Sequence, residues 1–72
     1  MVDNIINALE REGYEVYEYD RGTLYVQVPD GYGLLKRINQ THLDDIYDIA
    51  SSYDSVNVWK VGIAEVGVEV GV

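Results

Sequence analysis

The chain contains no cysteine, which excludes disulfides, thiolate nucleophiles, iron–sulfur clusters and cysteine-based zinc sites, and leaves the redox compartment undetermined. Basic side chains are scarce, with five Lys and Arg against thirteen Asp and Glu for a net charge of −8. An excess of that size repels phosphate backbones and anionic lipid throughout the approach, so direct contact with nucleic acid or a membrane surface is not expected. No apolar run approaches the roughly 20 residues that span a bilayer. The opening MVDNIINALEREG has an acid at position three and no basic flank before a long apolar run, which is not the pattern of a secretory signal. The expected location is the cytoplasm. Histidine and proline each occur once, as His42 and Pro29.

What remains is a chain of 72 residues, 47% apolar, with regular periodicity, the profile of a folded domain. We read residues 1–72 as one domain, near the size at which a single core is marginal, because such a chain buries only about 60% of the surface its unfolded form exposes. Dimerisation or a partner supplies what a small core lacks.

Along the chain, Asp3 is suited to N-cap a helix over 4–12 with Ile5, Ile6 and Leu9 on one side, and Gly13 is placed to end it. YEVYEYDRGTLYVQVP is two alternating runs around DRG, the composition of a three-residue hairpin loop with Gly at the left-handed position. With Asp20, Arg21 and Gly22 as the loop, Tyr19 faces Thr23, Tyr17 faces Tyr25, Val16 faces Val26 and Tyr14 faces Val28. One face then carries Tyr14, Val16, Leu24, Val26 and Val28, a core set, and the other carries Glu15, Tyr17, Tyr19, Tyr25 and Gln27. Pro29 ends the second strand and DGYG is a loop by composition; in GLLKRINQ Leu34, Leu35 and Ile38 fit one helical turn about as well as a short strand, and the segment is read as irregular or a single turn. Thr41 opens a second helix in a Thr-x-x-Asp arrangement, with Asp44 and Asp45 toward the positive end of the macrodipole. Leu43, Ile46, Ile49, Ala50 and Tyr53 form its buried stripe, and Asp44, Asp45, Asp48 and Ser52 point outward.

From Ser55 to Val72 the chain is β-prone, too long for one ordinary strand. Its apolar residues cross from odd to even positions near Gly62, which predicts a bend, bulge or short turn there. The expected fold is α+β, a small two-layer domain of order α-β-β-α-β(-β), with an antiparallel sheet packed against two helices.

The chain shows little that points to catalysis. His42 beside Asp44, Asp45 and Asp48 invites a metal or acid–base reading, yet aspartates in the opening of a helix are what capping produces unaided. Nothing local singles out a nucleophile, and DGYGLLKR lacks the Gly-Lys-Ser/Thr ending of a phosphate-cradling loop. No catalytic residue, metal ligand or cofactor is assigned, and the chain is read as non-enzymatic.

Two features point to binding. The outer hairpin face presents Tyr17, Tyr19 and Tyr25 ringed by Glu15 and Glu18, and exposed tyrosine is enriched where proteins meet; rings covered by a helix, or ordinary cross-strand pairs, are the plainer alternative. On the second helix Asp44 and Asp48 stand about 6 Å apart, near the phosphate spacing of a nucleic-acid strand, with Asp45 beside them. Such a surface suits a basic protein partner, although adaptation to high salt also produces acidic surfaces. In size, acidity and tyrosine content the chain resembles the small stand-alone proteins that viruses and mobile elements direct against host nucleic-acid enzymes, a resemblance of composition with no motif behind it. The expected function is therefore protein binding, in its sharpest form inhibition by mimicry of nucleic acid.

A different reading starts from AEVGVEVGV, which closes the chain. Val66, Val68, Val70 and Val72 make one apolar face, and Gly67 and Gly71 leave the other nearly bare. At a sheet edge, Val66, Gly67, Val68, Glu69 and Val70 would pair with a second copy, giving a structural protein or homodimer, with Glu65 and Glu69 as guards. In a central strand the glycines would instead fit beneath a helix.

Overall fold

The first helix begins before Asp3. In the computed structural model, which describes residues 2–72, α1 spans Val2–Arg11 and places Asp3 in its first turn rather than at the cap, still at the positive end of the macrodipole. Ile5, Ala8 and Leu9 are its buried side. Gly13 closes it at φ 94°: the Gly13 amide donates to the Glu10 carbonyl and the Tyr14 amide to the Leu9 carbonyl, 3.0 and 3.2 Å. That pair of bonds is a Schellman ending, which sets Tyr14 beside Leu9 in the core.

Strands β1 (Glu15–Asp20) and β2 (Thr23–Gln27) pair with Glu15 opposite Gln27, Val16 opposite Val26 and Tyr17 opposite Tyr25, the register expected from keeping the apolar set together. Next to the turn the sequence reading is corrected. A bulge at Tyr19 brings Asp20, not Tyr19, opposite Thr23. Gly22 takes the left-handed position at φ 74°, and the extra residue absorbs the twist of the turn.

Residues 28–38 are irregular, the first of the two readings of this segment, with no helical turn. Pro29 and Leu35 make an isolated bridge, the Asp30 carboxylate accepts from the Tyr32 and Leu34 amides at 2.7 and 3.2 Å, and buried Ile38 donates its amide to the Ile63 carbonyl at 2.7 Å. Helix α2 follows at Gln40–Ser51. Its cap is Asn39 rather than Thr41: Asn39 Oδ1 accepts from the His42 amide at 3.1 Å, and His42 Nδ1 accepts from the Asn39 amide at 3.2 Å. Thr41 is thereby inside the helix, and no acid occupies the first turn, so Asp44 and Asp45 sit too far along to meet the strongest part of the dipole. Ile46 and Ala50 are fully buried, whereas Tyr53, expected in the stripe, lies beyond the helix and is 44% exposed.

The shift of apolar phase near Gly62 is a hairpin. Strands β3 (Val56–Lys60) and β4 (Val66–Val70) run antiparallel, and the Val61 and Gly62 amides donate to the Glu65 carbonyl. The four strands lie in the order β1-β2-β4-β3, all antiparallel. Both helices cover one face, where Ile5, Leu9, Leu24, Val26, Ile38, Ile46, Val66 and Val68 make the core. This is the α+β architecture expected, with two C-terminal strands rather than one bent one.

The topology overturns the edge-pairing reading of the last strand. Val66, Gly67, Val68, Glu69 and Val70 lie between β2 and β3, and the bonding continues past the paired residues: the Val70 amide donates to the Gly22 carbonyl and the Gly71 amide to the Ser55 carbonyl. A strand bonded on both sides has no free backbone with which to recruit another copy.

A candidate docking face on the open side of the sheet

Because side chains alternate across a sheet, the register that buries Leu24, Val26, Val66 and Val68 sends the intervening residues to the face the helices leave open. A row crosses that face: Tyr17 opposite Tyr25, Tyr25 opposite Gly67, and Gly67 opposite Trp59. Tyr19, in the bulge, closes on Tyr25 with ring centroids 5.3 Å apart, and Tyr17 meets Tyr25 edge-on at 6.1 Å. Tyr17, Tyr19 and Trp59 are 45%, 72% and 37% exposed. The rings are thus not covered by a helix; they are cross-strand pairs that also face solvent.

The bare side of β4 has an occupant. A Cβ placed on Gly67 would lie 2.5 Å from two carbons of the Trp59 indole, so the ring occupies the space a side chain there would need. Gly67 is itself buried. The sequence reading expected a central strand's glycines to fit beneath a helix; the neighbour at Gly67 is an indole from the adjacent strand, and Gly71 has open space beside it.

Polar groups flank the aromatic row. On one side Gln27 Nε2 donates to the Tyr17 hydroxyl and to Glu65 Oε2, both at 3.1 Å, while the Tyr17 hydroxyl itself donates to Glu65 Oε2. The bond to Glu65, more than burial or charge, holds the Tyr17 hydroxyl above the usual tyrosine value. On the other side Glu69 stands opposite both Thr23 and Asn57. Glu15, opposite Gln27, and Asp20, opposite Thr23, join Glu65 and Glu69 on this face.

The residues read from the sequence as one binding set are divided. Glu15, Tyr17, Tyr19 and Tyr25 share the open face. Glu18 does not: it pairs with Leu24, whose side chain is in the core, so it points to the helix side and lines a shallow depression with Asp3 and Asp54. Asp44, Asp45 and Asp48 lie on α2, across the sheet from the tyrosines. Asp44 accepts from Gln40 Nε2 at 2.9 Å. Asp45 is not simply outward, because it accepts from the Tyr14 hydroxyl at 2.6 Å, and burial followed by that bond raises the Tyr14 hydroxyl well above the ordinary tyrosine value. One flat partner surface can meet the tyrosines or the α2 aspartates, not both.

The His42 imidazole is engaged in the α2 cap through Nδ1. Among the described residues no group of three or more His, Cys, Asp or Glu is placed to hold a metal ion, and no helix is long and apolar enough to cross a membrane.

Sequence reasoning missed Trp59, Glu65 and Gly67 as parts of this face. Trp59 belongs to the odd-numbered set of β3, and the signal that would have found it is the hairpin: once residues 61–65 are read as the turn, Trp59 must oppose Gly67. No protein-family model, curated protein or solved structure matches the chain.

Proposed function

We propose that the protein is a non-enzymatic binding module whose open sheet face receives a basic segment of another protein. The observation that carries this reading is the transverse row of Tyr17, Tyr25 and Trp59, left uncovered by either helix and seated by the absence of a side chain at Gly67. Tyrosine and tryptophan offer rigid, amphipathic area that is enriched at the centres of protein interfaces. Arginine and lysine stack favourably on such rings, and Glu15, Glu65 and Glu69 around them favour a cationic partner. The net charge of −8 accelerates encounter with such a partner and makes association sensitive to salt.

A more specific form of the proposal is an inhibitor that occupies the nucleic-acid groove of a basic host protein, of the kind viruses and mobile elements carry. Asp44 and Asp48, both exposed and one turn apart on α2, favour it, with contact made through the helix layer. The two forms separate by mutation of the captured partner's contacts. Partners are captured from the native host, and binding is then measured for Tyr25→Ala and for Asp44→Asn with Asp48→Asn. Loss with Tyr25→Ala alone supports the sheet face, and loss with the aspartate pair alone supports the mimic. Binding unaffected by either refutes both.

A further inference from the structure

The sheet has two outer strands, β1 and β3, and they differ in charge. β1, EVYEYD, carries Glu15, Glu18 and Asp20. β3, VNVWK, carries no carboxylate and one lysine. Charged side chains on an outer strand are a common guard against edge-to-edge pairing, and two copies meeting through β1 would bring like charges directly together. β3 has only Lys60, at its last position, to serve as such a guard, and no carboxylate.

The hydrogen-bonding phase of β3 follows from its ends. The Gly71 amide donates to the Ser55 carbonyl, and the Val61 amide donates to the Glu65 carbonyl. Residues 55 and 61 therefore direct their backbone toward β4, and by the alternation of an antiparallel ladder so do Asn57 and Trp59. Val56, Val58 and Lys60 direct their N–H and C=O groups away from the sheet, where no described residue pairs with them.

We propose that β3 is a self-pairing edge, along which a second copy of this chain joins antiparallel about a two-fold axis at Val58, extending the four-stranded sheet to eight strands. In that register Val58 of one copy meets Val58 of the other, and Val56 meets Lys60, so no like charges stand opposite each other. It is an isologous contact and closes at two copies. The same register carries Val61 and Ile63, 43% and 63% exposed, toward Tyr53 of the other copy, 44% exposed, removing apolar surface that a single chain leaves in water. Charge selects this edge: copies each carrying −8 approach with least repulsion where the strand is free of carboxylates. The joined sheet presents two aromatic rows side by side on one open face.

Salt separates this proposal from docking of a basic partner. Repulsion between two acidic copies is screened as ionic strength rises, so self-association tightens, whereas attraction to a basic partner weakens. The experiment is sedimentation equilibrium of the full chain from micromolar to millimolar concentration at low and high salt, with amide exchange measured across the same range. The expected result is a mass rising from 8.1 kDa to twice that value, more readily at high salt, with the Val56, Val58 and Lys60 amides gaining protection and the β1 amides unchanged. Lys60→Glu, which takes each copy from −8 to −10 at an exposed position, adds net repulsion and raises the dimer dissociation constant severalfold at low salt; Glu15→Gln does not raise it. A monomer under every condition overturns the proposal. So does an oligomer in which those three amides stay unprotected, or one that Lys60→Glu leaves intact.

Discussion

The indole of Trp59 lies against the backbone of Gly67 so closely that the smallest side chain would collide with it: a Cβ at Gly67 would sit 2.5 Å from two ring carbons and 2.9 Å from a third. Gly67→Ala must displace the ring or the strand, and overpacking of this kind costs about 1–3 kcal/mol. Denaturant unfolding followed by the fluorescence of Trp59, the only tryptophan, measures it directly. A red-shifted native emission accompanies the loss as the ring swings into water. In Gly67→Ala with Trp59→Ala, followed by circular dichroism, the penalty falls below the sum of the two single changes, because without the indole a side chain at position 67 meets no clash.

Buried Tyr14 donates its hydroxyl hydrogen to Asp45, linking the end of α1 to the second turn of α2 at 2.6 Å. Its raised value has a signed consequence for alkaline stability. A group that binds its proton more tightly in the folded state contributes in full below its unfolded value, about pH 10 for tyrosine, and loses that contribution as pH rises beyond it. Unfolding measured across pH 9 to 12 therefore shows a decline in stability that Tyr14→Phe reduces, that variant being less stable than the parent by about 1 kcal/mol near neutrality. A decline of equal size in Tyr14→Phe contradicts the assignment.

Glu65 sets the ionisation of Tyr17 through the hydrogen bond between them. In Glu65→Gln the neutral amide no longer opposes the phenolate, and Tyr17 titrates earlier. Ultraviolet titration of tyrosine absorbance, with Tyr17→Phe to identify the transition, shows one of the seven tyrosines moving toward the ordinary value. An unmoved transition would mean that the bond does not hold in solution.

The reciprocal cap of α2 joins Asn39 and His42. Asn39→Ala removes the acceptor for the His42 amide and costs about 1 kcal/mol. His42→Ala removes the acceptor for the Asn39 amide, and the double variant costs less than the sum because the two bonds support one geometry. Additive costs in thermal unfolding would argue for two independent contacts.

The sequence made legible what depends on local periodicity. The Tyr17 and Tyr25 pairing, the core face of the first hairpin and the break near Gly62 all follow from a two-residue alternation that a one-residue slip would invert. The bulge at Tyr19 was not legible, because DRG is compatible with more than one turn geometry and the twist of the flanking strands decides between them. Asn39 and Thr41 are both good caps, and the choice fell to Asn39 because His42, three residues on, returns the bond. The position of β4 was hidden for a different reason. Strand order joins residues distant in sequence, so a run of alternating valines reads alike at an edge or in the middle. The aromatic face inherited that blindness: Tyr17, Tyr19 and Tyr25 were visible, but Trp59 enters only when β3 and β4 are folded together. Glu18 was misplaced by proximity, being next to Tyr17 in the chain and therefore on the opposite face of the sheet.

Trp59 stands within the surface on which the functional proposal rests, so its emission is the most direct test. The captured partner is titrated into the protein at low and high salt while Trp59 fluorescence is recorded. The account predicts a change in emission that saturates with binding, an affinity that falls as salt rises, and little effect of Asp44→Asn with Asp48→Asn. Binding that leaves the emission unchanged and is abolished by the two aspartate substitutions would place the contact on α2 and contradict the role of the sheet face.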